Sequence, residues 1–174
     1  MTTALLLIDT QANMFDPATP VAGAVPLLVR LHDLQKRARA AHAPVVFVRN
    51  TGRAGEPDEP GTPGWAVQTV LHPAAGELVL DKTTNDTFAS TNLAGLLEAR
   101  GITKLVIAGL QSEFCIRATA LGAIAKGYEV TLVSDGHSTY DGRSLKAAEI
   151  TESVNEELAS RVTLLPASAV TFAG

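Results

Sequence analysis

Short apolar runs alternate along the chain with longer stretches of helical period. Six runs read as strands, at residues 4–9, 44–49, 77–80, 104–109, 129–134 and 161–165. Most are continuous in Val, Ile and Leu without polar alternation, the pattern of strands buried on both faces. Between them, apolar residues recur every three or four positions. Leu27, Leu31, Leu34, Ala38 and Ala41 share one helical face; Ile116, Thr119, Ala120, Ala123 and Ile124 share a second; Ala147, Ile150, Val154 and Leu158 share a third. Gly101 and Gly127 stand where left-handed helix caps are expected. The alternation predicts an α/β fold: a single three-layer, doubly wound domain over residues 1–174, with a mainly parallel six-stranded sheet and helices on both faces. A chain of 174 residues fits one such domain.

One stretch breaks the pattern. Residues 52–64, GRAGEPDEPGTPG, have no apolar period and must form a surface loop, since burial would strand backbone polar groups. It is either a tolerated insertion or a flap over a site, the second reading favoured by Trp65 directly after it.

Composition narrows the function. With 46% hydrophobic and 18% charged residues the chain is globular. A net charge of -4, with no clustering of Lys and Arg, gives no reason to bind nucleic acid. Apolar runs such as residues 4–8 and 105–108 are far below membrane-spanning length, so no membrane partner is expected. The start of the chain enters a strand-like run without the basic, then apolar, stretch of a signal peptide. The one cysteine cannot form an internal disulfide or an all-cysteine zinc site. The expectation is a soluble, cytoplasmic protein of a reducing compartment.

Open α/β sheets bind ligands beyond the carboxyl ends of their strands. Asp9 ends the first strand, Lys82 follows the third, residues 111–115 follow the fourth and open a helix, and Asp135 and His137 follow the fifth. No G-x-G-x-x-G, Walker lysine loop or G-x-S-x-G is present, which removes dinucleotide, P-loop and serine-hydrolase readings. The thiol of Cys115 remains. At a helix N-terminus and near a lysine it tends toward thiolate, a carboxylate within reach can take its proton, and backbone N–H groups at the turn can hold an oxyanion. Singly, Cys115 reads as a core residue, Asp9 as a turn cap and Lys82 as a surface charge; their common edge of the sheet is what points to a site.

Four blocks in order resemble the isochorismatase-like hydrolases, the superfamily of nicotinamidases, N-carbamoylsarcosine amidohydrolases and isochorismatases. They are Leu5-Leu6-Leu7-Ile8-Asp9-Thr10-Gln11 with Phe15 beyond; Asp81-Lys82-Thr83-Thr84-Asn85-Asp86-Thr87-Phe88-Ala89; Gly109-Leu110-Gln111-Ser112-Glu113-Phe114-Cys115-Ile116 with Thr119-Ala120; and Gly127-Tyr128-Glu129-Val130 leading to Ser134-Asp135. The resemblance implies Cys115 as nucleophile, Asp9 as the base that takes its proton, and Lys82 as the cation that stabilises thiolate and substrate. It also implies a cis peptide bond at Leu110–Gln111 and an oxyanion hole of the Gln111 and Cys115 N–H groups. The implied reaction attacks a C–N carbonyl, passes through a thioester and releases ammonia or an amine. Gln11, Phe15, Trp65, Phe88 and His137 are the candidate substrate contacts, His137 being also an alternative base or a structural residue.

The departures are informative. Where nicotinamidases carry an Asp and His residues for a metal, this chain has Asn50-Thr51-Gly52-Arg53, and His72 alone is read as a loop or cap residue. No metal and no other cofactor are expected. Isochorismatases cleave a vinyl ether without a cysteine nucleophile, so Cys115 favours amide, carbamoyl or lactam chemistry. The G-T-P-G-W run at 61–65 and the G-L-Q-S-E-F-C run also resemble a bacterial subgroup containing streptothricin hydrolase. Ether hydrolysis and a non-catalytic binding or assembly role are the alternatives. A thiol sensor is disfavoured, because no resolving cysteine exists. The family implies a homodimer or homotetramer, with the apolar stretch 167–173 a candidate for the interface.

Overall fold

The computed structural model describes residues 2–172. Six strands form one sheet: β1 (Thr2–Ile8), β2 (Val45–Asn50), β3 (Leu78–Lys82), β4 (Ile102–Leu110), β5 (Glu129–Ser138) and β6 (Thr163–Leu165). Their order is β3-β2-β1-β4-β5-β6, and every neighbouring pair is parallel. The helices are α1 (Ala24–Ala40), α2 (Thr87–Ser90), α3 (Leu93–Glu98), α4 (Arg117–Ala125) and α5 (Ala147–Leu158). Each strand expected from the sequence is present, with ends shifted by a few residues.

Side chains alternate across β1 and divide the core in two. Leu5 and Leu7 pack with Phe47 and with Leu27, Leu31, Leu34 and Ala38 of α1. Leu6 and Ile8 pack on the other face with Leu93 and Leu97 of α3, Ile116, Ala120 and Ala123 around α4, and Leu158 of α5. Each such leucine, removed from water, stabilises the fold by about 1.5–3 kcal/mol. The edge strand β3 alternates half-buried and exposed positions before the buried Lys82, unlike the fully buried centre of β1. Ala41 lies past the end of α1 and is exposed, because the chain turns at His42 with φ 55°.

Three details bear on the site. Strand order reverses between β1 and β4, which opens a crevice at their carboxyl ends. There Gly109 adopts φ 126°, and a Cβ on it would lie 2.1 Å from the Ile8 carbonyl oxygen, so only glycine lets β4 approach β1. Finally, β5 runs four residues past its expected end. It advances from Leu132 to His137 while β4 advances only from Ile107 to Gly109, a bulge that keeps His137 inside the sheet.

Part of the C-terminal apolar stretch packs internally, while Ser168, Ala169 and Thr171 are exposed. Ala167, Val170 and Phe172 are buried in the core beneath α1, and Arg37 donates to the Val170 and Ala167 carbonyls at 2.7 and 2.6 Å. Ala173, the last residue of the stretch offered for an interface, lies outside the described residues. Among the described residues no helix is long and apolar enough to cross a membrane.

Candidate active site

The carboxyl ends of β1, β2, β3 and β4 converge on a cavity of about 300 Å³ whose walls include Asp9, Asn50, Asp58, Asn85, Gln111 and Cys115. Asp9 follows β1 directly, in the left-handed region at φ 49°, and is buried. Lys82 is the last residue of β3, paired in register with Asn50 of β2, and is fully buried. Cys115 lies in a π-helical turn, Ser112–Ile116, that joins β4 to α4.

Lys82 organises the group. Its Nζ lies 2.9 Å from Asp9 Oδ2, 3.1 Å from Cys115 Sγ and 3.3 Å from Asn50 Oδ1. An ammonium has three donors, and all three are engaged, which makes a fully buried lysine tolerable. Burial works against its charge, but the Asp9 carboxylate and the Cys115 sulfur outweigh it and hold the Lys82 pKa above its ordinary value. Burial pushes the Asp9 pKa up, opposed by Lys82. Asp9 Oδ1 is buried without a hydrogen-bond partner, a free carboxylate oxygen beside the thiol-bearing cavity.

The thiol differs from its expected state. Burial first, and then Asp9, push the Cys115 pKa up to about 12 against the opposing pull of Lys82. A helix terminus and a lysine favour thiolate, but here desolvation and a carboxylate win. Cys115 is therefore protonated at neutral pH, and a nucleophilic role for it would require a proton acceptor. The sulfur sits 3.7 Å from Asn85 Oδ1, and Asn85 is tied back by a bond from Thr119 Oγ1 to its carbonyl. The peptide bond Leu110–Gln111 is cis, as the resemblance implied. Gln111 is steadied through Thr139, whose Oγ1 lies 3.1 Å from Gln111 Oε1 and 2.9 Å from Glu113 Oε1.

The structure thus brings Asp9, Lys82, Cys115 and Gln111 together; it places the five candidate substrate contacts elsewhere. Gln11 spends both ends of its amide on the Asn50 main chain, locking the end of β1 to the end of β2. Phe15 belongs to the core beneath α1. Phe88 stacks on Tyr128 with ring centroids 5.7 Å apart. Trp65 lies under the Arg49 guanidinium at 3.6 Å, and Arg49 is in turn held by Asp81. His137 is buried between Ser112 Oγ (2.8 Å) and Asn155 Oδ1 (3.0 Å), so both ring nitrogens are occupied and neither meets Cys115. None of the five lines the cavity. His72 is exposed and closes the turn Thr69–Leu71. Among the described residues no group of three or more His, Cys, Asp or Glu side chains is placed to hold a metal ion.

Burial lowers the His137 pKa from its ordinary 6.5, against the opposing effects of Asn155, Asp135 and Glu152. A histidine depressed in the folded state confers stability that is full above the unfolded pKa and lost as pH falls below it, at up to about 1.4 kcal/mol per pH unit. The Tm should drop on acidification below about pH 6.5, and His137→Gln should flatten that slope. An identical acid slope in the variant would assign it to other groups.

Other lining residues were not singled out from the sequence. Asn50 ends β2 and was accessible to the same strand-end rule. Asn13, Asn85, Phe114 and Tyr140 reach the cavity through turns, and Asp58 through the 52–64 loop, whose first half is closed by Gly52 N–H donating to the Asp58 carbonyl at 3.0 Å. No local pattern marks these residues.

Fold and strand-end residues together define an isochorismatase-like α/β chain. The Isochorismatase domain family matches residues 3–159, and the chain belongs to this hydrolase family. It is 40% identical over 158 residues to a streptothricin hydrolase of Streptomyces noursei, covering 91% of this chain but 56% of that protein. A second streptothricin hydrolase of the same organism is 39% identical over 178 residues, covering 98% of this chain and 71% of the relative. Among solved structures, an isochorismatase from Pseudomonas putida KT2440 superposes with a TM-score of 0.92 at 25% identity, covering 97% of this chain and 89% of that one.

Proposed function

We propose that this chain is a metal-independent cysteine hydrolase that cleaves a C–N bond, in an amide, carbamoyl group or lactam, of a small molecule. The observation that carries the reading is the buried Lys82 ammonium, which holds Asp9 at 2.9 Å and Cys115 at 3.1 Å on one cavity wall. Similarity to the streptothricin hydrolases supports it.

The chemistry follows from the protonation states. Cys115 rests as a thiol and Asp9 has one unpaired oxygen. As the sulfur attacks the carbonyl carbon, its proton passes to Asp9, and Lys82 balances the negative charge that moves between them. The carbonyl oxygen becomes an oxyanion, held by the N–H groups of Gln111 and Cys115. Collapse breaks the C–N bond, and the nitrogen leaves as ammonia or an amine with the proton from Asp9. A thioester to Cys115 remains. Water, giving a proton to Asp9, attacks that thioester; the acid departs and the thiol is restored. Every proton taken up is returned, and backbone donors polarise the carbonyl, so no step calls for a metal.

Ammonia or amine release from primary amides, ureido acids and lactams, compared between wild type and Cys115→Ala, tests this. Wild type should turn over at least one class, and the variant should fall by at least about 10³-fold while its melting temperature barely moves. Full activity in Cys115→Ala would remove the nucleophile assignment. No release from any class by wild type would favour ether hydrolysis or a binding role instead.

A further inference from the structure

The cavity beside Cys115 holds one charge that the proposed chemistry does not use. Asp9 and Lys82 offset each other at 2.9 Å. Asp58, delivered by the 52–64 loop, has no such partner. Its Oδ2 accepts from Asn50 Nδ2 at 2.7 Å, while Oδ1 makes no hydrogen bond to the described residues. Its negative field reaches the reacting groups, since it adds to the upward push on Asp9. The chain leaves room for this carboxylate: a Cβ at Gly52 would lie 2.1 Å from Asp58 Oδ1. A second acceptor stands on the same wall, because Asn13 Oδ1 is buried without a hydrogen-bond partner. Among the described residues no Lys, Arg or His side chain lines the cavity, and Arg49, next to Asn50, is held by Asp81 and the Trp65 ring.

Beyond the backbone donors assigned to the oxyanion, the lining offers an anionic substituent no side-chain cation, and the Asp58 carboxylate repels it. An ammonium or guanidinium suits the site, supplying donors to the two open acceptors and a charge opposite to Asp58. One amide side chain, Asn50, separates Asp58 from Lys82, which places a cation bound there close to the carbonyl under attack. We infer that the site selects amides carrying an amine or guanidine a few bonds from the scissile carbonyl, with Asp58 as the counter-ion and specificity-determining residue. The inference rests on the hydrolase reading above and deepens it.

Binding to the Cys115→Ala protein separates the two questions, because it needs no turnover. Titration calorimetry would compare γ-aminobutyramide, its uncharged counterpart valeramide and the anionic succinamate. The amine should bind about ten- to a hundredfold more tightly than valeramide, the contribution of one charge-assisted hydrogen bond, and succinamate should bind most weakly. Adding Asp58→Asn, which keeps an acceptor for Asn50, should collapse the amine-to-valeramide ratio. Raising the salt concentration should shrink that ratio with Asp58 in place, a readout that does not depend on the variant folding. Equal affinities for the three compounds, including equal failure to bind, would overturn the inference, as would a preference that survives both Asp58→Asn and salt. Selective amine binding without wild-type turnover would instead leave the cation site standing and remove the hydrolase reading. Turnover of neutral amides without selective binding would do the reverse.

Discussion

Lys82→Met is expected to lose stability and turnover together. Lys82 is fully buried and gives its three donors to Asp9, Cys115 and Asn50. Methionine fills a similar volume but leaves the Asp9 carboxylate buried and unpaired, which costs about 3–5 kcal/mol. At about 2–4 °C per kcal/mol for a chain of this size, Tm should fall by roughly 6–20 °C. The deficit should depend on pH with a definite sign. Burial already raises the Asp9 pKa, and loss of Lys82 removes the main opposing influence, so the folded value rises further above the unfolded one. A carboxyl raised on folding favours the folded state while protonated, and that stability is lost as pH rises. The gap between variant and wild type should therefore narrow on acidification. A Tm within about 2 °C of wild type at neutral pH would show that Asp9 does not depend on Lys82.

Asp9→Asn should move two readouts in opposite directions. In the wild-type protein burial and then Asp9 drive the Cys115 pKa up to about 12, with Lys82 opposing. Removing the carboxylate leaves the ammonium 3.1 Å from the sulfur without its competitor, so the thiol pKa falls and thiolate becomes more abundant. Alkylation of Cys115 by iodoacetamide at neutral pH should accelerate. Turnover should nevertheless fall by about 10²- to 10⁴-fold, because no group remains to take the thiol proton and return it to the leaving nitrogen. A variant that both alkylates and turns over more slowly would mean that Asp9 activates the sulfur at rest. One that improves in both would remove the general-base role.

The parts of this site that were legible along the chain share one property. Asp9, Lys82 and Cys115 each terminate or follow an apolar run, and the sheet rule brings such positions to one edge whatever the rest of the fold does. Aromatic residues had no comparable rule. Phe88 lies within the lysine block, yet its ring turns away to Tyr128; Trp65 follows the loop, yet its ring serves as a platform for Arg49. Nearness in sequence to a residue of the candidate site does not set the direction of a side chain. His137 shows the same limit, since a bulge carries it into the sheet between Ser112 and Asn155.

Strand and helix positions, the two buried faces and the strand-end chemistry were determined by the sequence itself, because they rest on local periodicity and on which residue ends each apolar run. The tertiary structure alone decided the protonation of Cys115, the structural use of Gln11 and His137, and the arrival of Asp58 in the cavity. Each depends on neighbours brought from distant positions, above all on how far their packing excludes water, and that leaves no local signature in the order of residues.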